Sequence, residues 1–274
     1  MKSVKPVELF LTLGLVAAVG ACSAPTEGGE GDESSSSSVE QVETTSHDHG
    51  NSHSEVGEGG EGGEGMSSGD MDVDYVTSLS LMLGHLMVAE ELIAAGEYEL
   101  SEPHIGHPVE ELYGDVEDQL GDRSVEDFKA TLNSAHDLVK TSPEAPELEV
   151  QLEASIKAID QAIAAVGEEK LQSAEFNLAV INHLLQVAGQ EYAAAIADNQ
   201  FVEIVEYQDS RGFVMHSAML YEQIADQLSP ETNKAMETAF AELKTAWPSV
   251  MPPEAPVKTP QEVFGYILAI EAQS

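Results

Sequence analysis

Three stretches of this chain place apolar residues on nearly every helical position: "LSLMLGHLMVAEELI" (79–93), "FNLAVINHLLQVAG" (176–189) and "GFVMHSAMLYEQI" (212–224). A helix without a polar face is enclosed by other helices, so these three are expected at the centre of a bundle. Punctuation by Gly and Pro supplies the remaining boundaries. It predicts a helix over Tyr75–Ala95 closed by Gly96, a short one over Glu97–Glu102, and a loop between Pro103 and Pro108. Val109–Leu120 follows, then a helix to about Lys140 opened by Ser124 with Asp127 three residues on, in the manner of a capping box. After the linker "TSPEAPE", Leu148–Val166 and one long helix over Glu168–Asp198 are expected, then Phe201–Leu228 with Gly212 as a possible break. Ser229 and Pro230 start the next helix. "PSVMPPEAPVKTP" wraps across the surface before a last helix over Gln261–Ala272. No segment reads as a strand, and the fold class is all-α: a bundle of antiparallel helical hairpins over residues 72–274.

Two of these joints look alike. "LIAAGEYEL" and "AIAAVGEEKL" each end an apolar helix in a Gly-Glu turn, about 70 residues apart. No series of copies continues them, so helical hairpins with a duplicated joint describe the chain better than a solenoid.

The N-terminal quarter differs in kind. Lys2 and Lys5 precede an apolar run from Leu9 to Val19, too short for a comfortable membrane span and ending in "VGAC", which gives residues 1–21 the layout of an export signal. From Ser23 to about Met71 the sequence is Gly, Ser and Glu, including "SSSSS" and "GEGGEGGEG". Such a segment buries too little apolar area to offset its ordering entropy, so residues 22–71 are expected to form a disordered tether spanning roughly 40 Å. "HDHGNSHSE" within it sets His47, His49 and His53 beside Asp48 and Glu55, a weak collector of divalent metal by composition. Fifty acids against eleven bases give a net charge of −39, which excludes nucleic acid as a partner and favours cations. Cys22 is the only cysteine, so no disulfide and no thiolate chemistry is available to the folded region.

Each central helix carries one histidine in its apolar stretch: His85, His183 and His216. A buried imidazole left unpaired costs about 1 to 3 kcal/mol, so partners are expected for all three. The corner "SEPHIGHPVEELYGD" adds His104 and His107, each adjoining a proline, and aims them toward His85 on the preceding hairpin arm. Bundle interiors are where facing helices build metal sites, and imidazole suits zinc, copper, nickel and iron. The candidate ligands are therefore His85, His104, His107, His183, His216 and Glu90, with Glu91, Glu191, Glu206 and Asp209 on the same helices. The central histidines form no Glu-x-x-His pair, which argues against a ferritin-type di-iron centre. In "EYQDSRGF", Arg211 is expected to pair with Glu206 or Asp209. With no nucleophile elbow, His-Glu-x-x-His helix or phosphate loop, no enzymatic role is expected.

Two resemblances bear on these readings. "VGAC" resembles the lipobox of bacterial lipoproteins, with Val19 where the pattern prefers Leu. That implies lipidation at Cys22 and a membrane-anchored protein of the cell envelope, facing the periplasm or the exterior. "LGHLMVAEELIAAGEYELSEPHIGHPVEELY" with "EYQDSRGF" resembles a group of exported helical bacterial proteins sharing Gly-His-Leu, His-x-x-His-Pro and Glu-Leu-Tyr, which implies a common fold and groups His85, His104 and His107. The imelysin-like motif Gly-x-His-x-x-Glu is not matched, since Gly84 and His85 are adjacent and the nearest acid is Glu90. The function expected is thus a lipid-anchored binder of a divalent transition metal. The alternative is a helical module that grips a protein partner and whose histidines are structural.

Overall fold

The computed structural model describes residues 67–274, and these form an all-α bundle. The signal segment, Cys22 and the histidine-rich part of the tether lie outside the described residues. Ten α-helices follow: α1 (Met71–Ala95), α2 (Tyr98–His107), α3 (Tyr113–Leu120), α4 (Lys129–Thr141), α5 (Pro146–Ala164), α6 (Glu168–Leu171), α7 (Ala174–Ala194), α8 (Ile204–Ile224), α9 (Pro230–Leu243) and α10 (Pro260–Glu271). Helix α1 starts a turn earlier than the apolar pattern indicates because Asp70 caps it, accepting from the amides of Asp72 and Val73. It ends where Gly96 takes φ 81°, a left-handed turn that costs glycine little.

The three apolar helices are indeed central. Helix α1 contacts α2, α5, α7 and α8, and α7 packs along α8. Leu79, Met82, Leu86 and Leu92 of α1 are fully enclosed. Each such side chain stabilises the fold by about 1.5–3 kcal/mol. Among the described residues α1 is long and apolar enough to cross a membrane, but it is largely buried inside the bundle, as a core helix is.

Several boundaries differ from the sequence reading, each for an identifiable reason. The Pro103–Pro108 stretch is helix, not loop: α2 runs through Pro103 to His107, and Pro108 opens a π-helical turn, Pro108–Leu112, that leads into α3. A proline ring collides with the carbonyl four residues earlier, and a widened turn relieves that collision without ending the helix. Burial of Ser101, His104, Ile105 and Gly106 outweighs the local penalty. Ser124 does not cap α4; it sits at φ 58°, and α4 begins at Lys129, whose amide donates to Asp127. The expected long helix from Glu168 is divided, because Ser173 caps a new start and accepts from Phe176 N. Its far end is replaced by a two-stranded ribbon, β1 (Ile196–Ala197) with β2 (Gln200–Phe201), turned at Asp198 and Asn199, both at positive φ. Asn and Asp tolerate that conformation, which is why a hairpin forms where helix was expected.

Gly212 does not break α8. It is the point where α8 meets α1 backbone to backbone: a Cβ there would intrude on the Gly84 carbonyl, and a Cβ on Gly84 would lie 2.6 Å from the Phe213 ring. Gly84 precedes His85 and Gly212 follows Asp209 by three residues, so this crossing sets the depth of everything near them. Helix α8 also buries His216, 7% exposed, with neither ring nitrogen hydrogen-bonded, so the partner expected for it is absent. Burial pushes its imidazole down to about 4.

Three outcomes follow from this packing and burial. Gly212→Ala forces the helices apart and is expected to cost about 2–3 kcal/mol in urea unfolding. Gly265→Ala, on the open side of α10 with nothing within 4 Å of its new methyl, is expected to gain about 0.5–1 kcal/mol by lowering unfolded-state entropy. His216 binds protons more readily unfolded than folded, so its neutral form contributes stability that is intact above pH 6.5 and lost as pH falls toward 4. A depression from 6.5 to about 4 amounts to roughly 3 kcal/mol. His216→Leu should flatten the stability profile over that window by this amount, measured by unfolding at pH 7 and pH 4.5.

Candidate metal centre

The α1–α2 hairpin brings its histidines level by counting. His85 stands eleven residues before Gly96 and His107 eleven after, each roughly 16 Å from the joint at 1.5 Å per residue. The rings of His85 and His107 lie 5.1 Å apart, edge to face, and those of His85 and His104 6.2 Å apart. Three imidazoles so placed require an acceptor, and α8 supplies it. Asp209 is fully buried; its Oδ1 lies 2.7 Å from His85 Nδ1 and 2.6 Å from His104 Nδ1. Its Oδ2 faces His107 Nδ1 at 3.6 Å. Burial alone would push this carboxyl up, but the facing imidazoles of His85 and His104, the hydrogen bond from His104 and the His107 ring 3.6 Å away hold it well below the usual carboxylate range.

Ligand atoms of His85, His104 and Asp209 all lie within 4.8 Å of one another, close enough to share one metal ion. They come from α1, α2 and α8, and all three residues are buried. His107, 12% exposed in its side chain, is the most exposed of the three rings facing Asp209. The other candidates are elsewhere. His183 is half-buried on α7. Against burial, hydrogen bonds from Ser68 and Ser67 and the His183 ring nearby keep the Asp74 carboxyl low. His216 lies two turns along α8 from Asp209 and touches no ligand group. Glu90 is exposed near α5, where partial desolvation and Glu149 push its carboxyl up. These three do not join the cluster: His183 lies near Asp74, Glu90 near Glu149, and the His216 ring nitrogens have no hydrogen-bond partner.

Of two further residues that build the site, the sequence reading assigns one a different role and misses the other. Asp209 stands in the sequence among the carboxylates of the central helices and as one of two expected partners of Arg211, with Glu206; instead Arg211 makes a forked ion pair with Glu91 of α1, Nη2 to Oε2 at 2.8 Å, leaving the aspartate to the histidines. The available signal was an acid inside the buried run Tyr207–Ser210 of a central helix. The other is His136 on α4, which fixes the corner from behind. Its Nε2 lies 2.6 Å from Glu102 Oε1 and its Nδ1 3.6 Å from Glu110 Oε1, so it links the residues on either side of Pro103–Pro108. A Cβ on Gly106 would come within 2.8 Å of that ring, so only glycine lets α2 approach it so closely.

Comparison with known proteins adds one finding. No curated protein and no solved structure matches the chain. Residues 167–274, which hold α6 through α10, match the family described as the iron permease-associated 4-helix bundle domain, so the C-terminal part of the chain, which carries Asp209, is similar to that bundle while His85, His104 and His107 precede the match.

Proposed function

We propose that this protein binds a divalent transition metal in the cell envelope, at a centre made by His85, His104 and Asp209 with His107 beside it. The observation that carries the reading is the convergence of two imidazoles and one carboxylate, from three helices, on a single buried point. Two histidines and a carboxylate suit iron, and also zinc or nickel. The similarity of residues 167–274 to a bundle associated with iron permeases favours iron among them. A bound ion would supply the positive charge that now comes from imidazole N–H groups, displacing the Nδ1 protons that face Asp209. The chain's own residues supply the rest: Glu91–Arg211 braces α1 against α8, and His136 holds the corner. Lipidation of Cys22 would keep this domain at a membrane, with His47, His49 and His53 on the tether gathering ions at low affinity.

Binding restricted to the folded state raises stability by about 2.7 kcal/mol at a hundredfold excess over Kd. For some 200 residues that is a melting shift of several degrees. Iron(II) under anaerobic conditions, zinc and nickel should each be titrated. Asp209→Asn, and His104→Ala with His107→Ala, should abolish the shift. No shift with any metal, or one that survives both variants, would overturn the reading in favour of a protein-interaction module. Cys22→Ser should move the protein from the detergent phase to the aqueous phase; unchanged partitioning would remove the lipid anchor.

A further inference from the structure

Gln208 joins the centre to the segment that crosses it. Its side chain is fully buried, one residue before Asp209. The amide nitrogen donates to the Val250 carbonyl at 3.3 Å and lies 3.9 Å from Met251 Sδ. A backbone carbonyl only accepts, so the nitrogen must face Val250 and Oε1 must face the other way. Opposite Oε1, at 2.9 Å, is His104 Nε2. An amide oxygen also only accepts, so His104 Nε2 carries a hydrogen. Nδ1 donates to Asp209 Oδ1 at 2.6 Å, so it is the nitrogen open to a cation once that proton is displaced, while the Nε2 hydrogen stays bonded to Gln208.

What dictates this choice is backbone outside the cluster. The strap from Trp247 to Met251 is itself fixed: the Trp247 indole donates to Tyr207 O at 3.1 Å and Ser210 Oγ at 2.9 Å, and Tyr207 Oη donates to Ser249 O at 2.8 Å. Arg211 Nη1 reaches Trp247 O at 3.4 Å, so the ion pair that braces α1 also touches the strap.

We propose that Gln208 is a positioning residue of this centre: it keeps a hydrogen on His104 Nε2, so that Nδ1, beside Asp209, is the nitrogen that exchanges its proton for a cation, and the Trp247–Met251 strap acts on the centre through it. The effect on affinity rests on the metal-binding reading above; the effect on the imidazole does not. Partners of this kind typically change metal affinity by 10–100-fold.

The test uses the full chain labelled with 15N in its histidines, zinc as a diamagnetic probe, and long-range 1H–15N spectra of the imidazoles, with His104 assigned by its loss in His104→Ala. Wild type should show a protected His104 Hε2 without metal, and with zinc the same Hε2 together with a metal-shifted Nδ1. Gln208→Met, close in shape but without hydrogen bonds, should lose Hε2 protection and weaken zinc binding 10–100-fold. Gln208→Glu keeps an acceptor for His104 and should restore much of both, which a purely structural role would not require; it also serves if Gln208→Met fails to fold. Zinc on Nε2 in wild type, or Gln208→Met with Hε2 protection and affinity unchanged, overturns the proposal. Should wild type bind no zinc, the metal reading fails and the metal-free Hε2 comparison alone decides the role of Gln208.

Discussion

A carboxylate with no access to water governs the centre of this bundle. An isolated buried carboxylate would cost several kcal/mol or become protonated, and Asp209 does neither because imidazole groups face both of its oxygens. That requirement ties together helices from distant parts of the chain. Helix α8 must come close enough to α1 for His85 to reach it, which is what the Gly84–Gly212 contact permits. Helix α2 must continue through two prolines to present His104, which the π turn and His136 achieve. Removing Asp209 would leave imidazoles in a dry interior; removing the histidines would leave a bare charge.

The fold was legible where one signal dominated. Unbroken apolar runs marked the central helices, Gly96 and Gly167 marked the joints, and Ser229 with Pro230 marked a helix start that the structure shows in full, the Ser229 hydroxyl accepting from Thr232 N. It was illegible where tertiary contacts overrode local preference. Pro103 and Pro108 read as a loop because the ring's penalty is local, while the burial that outweighs it comes from α1 and α4. Gly212 read as a break because a missing side chain looks the same whether it frees the chain or admits a neighbour.

The site was legible as residue types and half legible as geometry. A hairpin with equal arms puts His85 and His107 level, but nothing in one sequence says that an acid from α8 completes the group. Arg211 was the obstacle: an arginine two residues from an aspartate invites a local ion pair, and only the structure shows its side chain reaching Glu91. The histidines that stay outside the cluster, His183 and His216, share the apolar-helix setting of His85, so setting alone does not discriminate.

The ligands of the candidate centre are far apart along the chain, Asp209 lying 124 residues from His85 and 105 from His104. Contacts of that span form late in folding, after the loop entropy between them has been overcome. A partly made chain therefore holds the histidines and the aspartate as unrelated weak donors. Any selectivity the centre has is then a property of the finished fold, exercised against whatever ions surround the chain once these helices have met.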